Sequence, residues 1–333
     1  MSSSGEAPSA AMLTVFSERR SDLLITARDA PAEGVISLTL ADPGGAQLPA
    51  WTPGAHIDLL LADTVRQYSL CGTPGDQHRW RIAVLLDPAG RGGSRRVHET
   101  LKVGDQIAVR GPRNHFPLHV VPRYIFLAGG IGITPILPMV AAAAEAGADW
   151  QLHYGGRTQA SMAFTGELAP YGERVTLWPQ DSKGLLPLGE ILGDPAEGVL
   201  VYCCGPEGLL AAAEQHCAAW PAGALHLERF AAKPQPAPAA GQGQEAPFEV
   251  VCQRSGLTVT VPPGQSILEA LEEQGVSVLS SCLEGVCGTC ETPVLEGIPD
   301  HRDSLLSEDE REANEYMMVC VSRSKSDRLV LDL

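Results

Sequence analysis

Four cysteines carry the strongest chemistry in this chain. Cys282, Cys287 and Cys290 follow one another with four and two residues between them, and Cys320 follows after twenty-nine intervening residues. Three thiolates from one tight loop and a fourth from a distant segment make the spacing that holds a [2Fe–2S] cluster. The loop reads Cys282-Leu-Glu-Gly-Val-Cys287-Gly-Thr-Cys290. Gly285 and Gly288 suit a backbone that wraps closely and turns amides towards sulfur. A four-cysteine zinc site is the alternative, but such sites usually pair two short C-x2-4-C knuckles, and Cys320 stands alone. A cluster of this kind carries one electron, so the chain reads as an electron carrier.

Two glycine-rich segments add a second kind of chemistry. Gly90-Arg-Gly-Gly-Ser94 precedes a short helical stretch, where freed backbone N–H groups and the helix dipole suit an anion. Gly129-Gly-Ile-Gly-Ile-Thr-Pro135 follows an apolar strand and opens a helix, the place where a parallel sheet receives nucleotide phosphates. Thr134 is expected to cap that helix and Pro135 to sit in its first turn. The third glycine of a G-x-G-x-x-G fingerprint is missing. Arg66-Gln-Tyr-Ser69 and Cys203-Cys-Gly-Pro206 each end a strand. An arginine pairs with phosphate, and tyrosine and serine address a flat heteroaromatic ring. Taken alone, Tyr68 reads as a core aromatic and Gly-Gly-Ser as an ordinary turn. The histidines, His56, His98 and His115 among them, show no metal spacing, and the five other cysteines show no paired framework and are expected as reduced thiols.

These groups need elements to position them. The first 120 residues read as strands at Leu23–Arg28, Val35–Leu40, His56–Leu61, Arg66–Leu70, Trp80–Leu86 and Gln106–Arg110, punctuated by Gly and Pro as in a small antiparallel barrel. One short helix is expected from Ser94 to Leu101. From Tyr124 the rhythm becomes alternating strand and helix. Strands are expected at Tyr124–Ala128, Trp150–Tyr154, Val175–Trp178, Val199–Cys203 and Leu225–Glu228, with helices at Pro135–Ala146 and Glu207–Trp220. That alternation implies a parallel sheet covered on both faces. Residues 231–247, rich in Pro, Ala, Gly and Gln, form a linker that is stiff first and loose later. Beyond it come strands Phe248–Gln253 and Leu257–Val261, a helix Ser266–Gln274, the cysteine loop and a closing strand Leu329–Leu331.

The formal charge of −16 argues against nucleic acid, whose phosphates would be repelled. Residues 246–333 hold sixteen Asp or Glu against six Lys or Arg, so −10 of the −16 lies in the last quarter. That acidity makes either a solvated surface or a docking face for a basic patch on an acceptor. No apolar run is long enough to span a membrane, and the first residues lack the basic and apolar blocks of a signal peptide. A cytoplasmic protein with a short disordered tail is the expectation.

The order of the segments is also informative. Arg66-x-Tyr68-Ser69, Gly90-Arg-Gly-Gly-Ser94, Gly129-Gly-x-Gly-x-Thr-Pro135, Cys204-Gly-Pro206 and Glu228-Arg-Phe230 occur as in ferredoxin-reductase-type flavoproteins. With the C-terminal cysteine loop, of plant-type ferredoxin spacing, the arrangement resembles the phthalate dioxygenase reductase family, vanillate demethylase reductase subunits included, from about Leu23 to Leu333. The resemblance implies three domains: an FMN-binding antiparallel β-barrel at 1–121, an NAD-binding α/β domain with a parallel sheet at 122–230, and, after the linker, an α+β β-grasp ferredoxin domain at 248–333. Arg66, Gly92, Gly93 and Ser94 would hold the FMN phosphate. Tyr68, Ser69, Thr134, Phe230 and the backbone at Ala83 and Val84 would surround its ring. Gly130, Gly132, Cys204, Gly205 and Pro206 would shape the nicotinamide site, and Cys282, Cys287, Cys290 and Cys320 would hold the [2Fe–2S] cluster.

FMN is expected over FAD because the phosphate turn is intact. NADH is expected over NADPH because Arg157 and Ser161 stand near Glu167 and Asp181 without a dedicated basic pair. Leu209-Leu210 departs from relatives that carry methionine after Cys-Gly-Pro. Electrons would pass from NADH through FMN and the cluster to a terminal Rieske-type oxygenase acting on an aromatic or related small substrate. A reductase for a cytochrome P450 and a redox-sensing interaction module are the alternatives. A flexible linker would let the ferredoxin domain swing between flavin and oxygenase.

Overall fold

The architecture comes from a computed structural model that describes residues 20–61, 64–233 and 245–333. The expected N-terminal tail and most of the expected linker lie outside the described residues.

Six strands build the first unit: β1 (Arg20–Ala32), β2 (Val35–Ala41), β3 (His56–Leu61), β4 (Thr64–Ser69), β5 (Trp80–Leu85) and β6 (Gln106–Arg113). All pairings are antiparallel, in the order β4-β3-β6-β1-β2-β5. Leu70 bridges Ile82, which brings the β4 edge round to β5 and closes the barrel. Leu23, Leu38, Leu59 and Trp80 fill its interior, each such side chain adding roughly 1.5–3 kcal/mol of burial free energy. Between β5 and β6 runs helix α1 (Gly93–Thr100).

The second unit is a five-stranded parallel sheet of β7 (Arg123–Gly129), β8 (Asp149–Gly156), β9 (Val175–Pro179), β10 (Val199–Cys204) and β11 (Leu225–Glu228). Its order is β11-β10-β7-β8-β9. The chain therefore winds outward from β7 in one direction, then returns to start β10 on its other side. The crevice between the carboxyl ends of β7 and β10 is the topological switch point, where open α/β sheets bind ligands. Helices α2 (Ile133–Glu145) and α6 (Glu207–His216) flank the sheet, with short helices α3 (Thr165–Leu168), α4 (Gln180–Lys183) and α5 (Leu188–Leu192) between strands.

Two of these helices differ from the sequence expectation. A 3-10 turn over Gly130–Gly132 starts α2 at Ile133, so Thr134 lies inside the first turn rather than capping it. Its hydroxyl bonds back to the Ile131 carbonyl at 3.0 Å. α6 stops at His216 rather than Trp220, because Trp220 is drawn into the apolar cluster beneath the sheet with Leu127, Val201 and Leu210.

Barrel and parallel sheet share a core. Val35, Cys71, Ala83 and Phe116 from the barrel side pack with Phe126, Met139 and Tyr202. Arg81 of β5 adds a two-pronged ion pair to Glu167 of α3, at 2.7 and 2.8 Å.

The third unit contains β12 (Phe248–Cys252), β13 (Leu257–Val261), α7 (Ile267–Glu273), β14 (Glu291–Glu296), β15 (Pro299–Asp300), α8 (Glu308–Ala313), β16 (Tyr316–Met318), β17 (Arg323–Ser324) and β18 (Arg328–Leu331). The main sheet runs β13-β12-β18-β14-β16, with only β12 and β18 parallel. Helix α7 seals the core with Ile267, Leu268 and Leu271. Its capping box joins Ser266 to Glu269.

Candidate functional site

The cysteine loop between α7 and β14 is wrapped as the glycines require. All four candidate thiols are buried, none more than 8% exposed. Gly285 and Gly288 take φ of +68° and +71°. A Cβ on Gly285 would lie 2.6 Å from Val321 Cγ2, and one on Gly288 would lie 2.4 Å from His115 Nε2. The Glu284 amide donates to Cys282 Sγ at 3.3 Å, and Thr289 Oγ1 lies 3.2 Å from Cys287 Sγ.

Among the described residues, no group of three His, Cys, Asp or Glu side chains is set to hold a single metal ion. Four buried thiols, with the Glu284 amide aimed at Cys282 Sγ, fit the thiolate set of a two-iron cluster.

This loop faces a cleft of about 790 Å³, mouth included, and Cys282 and Cys287 are part of its wall. Arg66 and Ser69 from β4, Arg91 from the turn before α1, and Phe230 after β11 line the same cleft. Gly92 ends that turn at φ +85°, and a Cβ on Gly93 would meet Arg66 Nε at 2.6 Å. The close approach sets the Arg66 guanidinium against the N-terminus of α1, a pairing of cation and free amides suited to phosphate. The Ser94 hydroxyl accepts from the Asp87 amide at 3.0 Å, so it braces the turn from within.

Three other residues expected at the ring, Tyr68, Ala83 and Val84, lie on β4 and β5 of the barrel. Tyr68 is half-buried and packs against the barrel core. Ala83 and Val84 are buried in β5, and the Val84 carbonyl is 2.8 Å from the His98 ring nitrogen. Phe230 is 46% exposed, an aromatic face open to the cleft.

The second cluster of expected residues meets at the switch point. A Cβ on Gly132 would be 2.2 Å from the Cys204 carbonyl oxygen, and one on Gly129 would be 2.6 Å from Pro206 Cδ. A Cβ on Gly205 would lie 2.9 Å from Gly129 Cα. Gly130, at φ +54°, offers its carbonyl to the Tyr154 hydroxyl at 3.1 Å. Glycine is needed on both sides because two backbones touch where the nucleotide crevice opens. Burial and the nearby Glu228 carboxyl hold the Cys204 thiol well above its ordinary value, so it stays protonated at neutral pH.

Glu228 joins the two clusters. Its carboxyl accepts from Ser69 Oγ at 3.4 Å and lies 3.9 Å from Cys204 Sγ. Burial without a cationic partner pushes it up to about 8. Sequence reasoning assigned it no role, since only its place before Arg229-Phe230 set it apart. Gln67, His56 and His115 also line the cleft and carried no sequence signal.

Comparison with known proteins agrees with this construction. The 2Fe-2S iron-sulfur cluster binding domain family matches residues 250–325. The chain is 44% identical over 305 residues to phenoxybenzoate dioxygenase subunit beta of Ectopseudomonas oleovorans, covering 91% of this chain and 94% of that protein. Among solved structures, phthalate dioxygenase reductase, described as a modular structure for electron transfer from pyridine nucleotides to [2Fe-2S], superimposes with a TM-score of 0.69. It is 36% identical, over 94% of this chain and 98% of that one. An intact type IV self-sufficient cytochrome P450 monooxygenase gives a TM-score of 0.89 at 43% identity. There the match covers 94% of this chain but 41% of that longer protein. Among the described residues no helix is long and apolar enough to cross a membrane.

Proposed function

We propose a role for this chain from one premise: it belongs to the phthalate dioxygenase reductase family. It is an NADH-dependent flavin and iron–sulfur oxidoreductase, the reductase component of an oxygenase system. FMN, when bound, supplies the conversion of a two-electron hydride into the single electrons that a [2Fe–2S] cluster accepts.

The residues divide the work. Arg66 and the amides at Gly92, Gly93 and Ser94 hold the FMN phosphate. Ser69, Tyr68, Thr134, Phe230 and the backbone of Ala83 and Val84 keep its ring in place. Gly130, Gly132, Cys204, Gly205 and Pro206 seat the nicotinamide nucleotide, and Glu228 hydrogen-bonds across the meeting point of the two sites. Cys282, Cys287, Cys290 and Cys320 hold the cluster. The partner is a terminal Rieske-type oxygenase that hydroxylates or demethylates an aromatic or related small substrate in the cytoplasm, docking through the acidic C-terminal domain.

One observation carries this reading: Arg66, Phe230, Cys282 and Cys287 line a single cleft. The test is an anaerobic NADH titration followed by visible absorption and EPR. Flavin bleaching with a rhombic [2Fe–2S] signal, and FMN released on denaturation, is the expected result. A colourless protein binding zinc would overturn it.

The likeness to a self-sufficient P450 favours a second acceptor, a cytochrome P450. Stimulation of one purified oxygenase class and not the other separates the two.

A further inference from the structure

Asp58 lies in the middle of β3, fully buried, and no part of the electron path described above uses it. Its carboxylate accepts from Arg110 Nε at 2.9 Å, from Arg113 Nη2 at 2.5 Å and from Gln67 Nε2 at 3.1 Å. A buried carboxylate held by two guanidiniums and an amide is a rigid node, because each partner left alone would be a desolvated, unpaired group.

Two arms of this node leave the barrel. Arg110 Nη2 donates to the Ser280 carbonyl at 2.9 Å, and Gln67 Nε2 donates to Ser281 Oγ. Ser280 and Ser281 are the two residues immediately before Cys282. Gln67 sits on β4 between Arg66 and Tyr68. One short strand therefore presents the flavin-side arginine and grips the polypeptide entering the cysteine loop.

A third contact, Arg91 with Glu284 at 2.9 Å, is exposed and adds little that salt would not screen. The other two arms are different: both are partly buried and aimed at backbone or hydroxyl groups, and the Arg110 arm is charge-assisted.

We propose that Arg110 and Gln67, braced by Asp58, are positioning residues that seat the cluster loop against the flavin cleft for electron transfer within the chain. The proposal rests on the electron path given under the preceding heading. In it, the contact that sets the distance from flavin to cluster belongs to the barrel, and the linker serves as a tether.

The test compares two rates after mixing the full-length holoprotein with NADH: flavin bleaching, and appearance of the reduced-cluster signal by freeze-quench EPR. Arg110→Gln is expected to leave flavin bleaching within about twofold and slow cluster reduction about tenfold, the population shift that follows loss of one charge-assisted hydrogen bond. Arg110→Lys, which keeps the charge, should restore part of the rate. If Arg110→Gln fails to fold, Ser281→Ala removes the other arm from outside the barrel and carries the same expectation. Unchanged cluster reduction overturns the proposal, as does a parallel fall in both rates, which marks a general structural defect. A wild-type protein without NADH-driven flavin bleaching or a cluster signal would instead overturn the electron path itself.

Discussion

Ser69 and Glu228 meet across the seam between the barrel and the parallel sheet, the serine hydroxyl donating to the carboxyl at 3.4 Å. The two residues are 159 positions apart. They end β4 and β11, so the seam brings one group expected at the flavin against one at the nicotinamide crevice. Cys204, at the end of β10, touches the same carboxyl.

Glu228 is pushed up to about 8, against an ordinary 4.5, by burial. The folded chain keeps a proton that the unfolded chain releases above pH 4.5. This contribution to stability is therefore present at low pH and is lost as pH rises through 8. Glu228→Gln, which mimics the protonated form, should remove a limb near pH 8 from the pH profile of flavin reduction by NADH. Stopped-flow measurements from pH 6 to 9 on both proteins check this; coincident profiles would count against a role for the carboxyl.

His56 titrates in the opposite sense. Burial first, then Arg113 and His115, lower it to about 3 from an ordinary 6.5, while Asp58 pulls the other way. It stays neutral in the folded protein, so its share of stability is complete above pH 6.5 and is lost as pH falls towards 3. A single such group accounts for at most about 1.4 kcal/mol per pH unit. Urea midpoints at pH 7.5, 6 and 5 should fall less steeply for His56→Gln than for wild type.

Gly93→Ala puts a methyl group where Arg66 now lies, 2.6 Å from Nε. The arginine side chain has room to give, so global stability should hold. The guanidinium leaves the phosphate turn, and FMN affinity should fall about tenfold, the usual order for one charge-assisted contact. Flavin retained after dialysis is the measurement.

Cys320→Ser removes the proposed ligand that comes from outside the loop. The cluster absorption and EPR signal should disappear, while NADH still bleaches the flavin, because no residue of the switch point is touched. Loss of both activities together would mean that the cluster supports the fold of the whole molecule.

Much of this could be read along the chain, for local reasons. Cys-x4-Cys-x2-Cys with Gly285 and Gly288 specifies its own loop, since ligand spacing and positive φ are properties of adjacent residues. The apolar strands ending in Gly129 and Cys204 declare a parallel sheet, and glycine at both ends declares a crevice. Elements without a periodic signal escaped. Helix α8 has no buried residue, and its first turn is Glu308, Asp309 and Glu310, so no apolar stripe marks it. Strand β14 carries Pro293, which reads as a breaker, yet it pairs with β16 and β18.

Thus the sequence by itself determined the chemistry: the four thiols, the phosphate turn, the nucleotide crevice and the order of the units. Only the tertiary structure decided which of these groups meet. Burial moved Glu228 because strands far apart in the chain closed round it. Asp58 acquired its arginines because β3 and β6 pair with Asp58 opposite Arg110 and a register shift beside it, and Ser280 and Ser281 found their partners on a different unit. Contacts of that kind depend on folded geometry, and no local spacing encodes them.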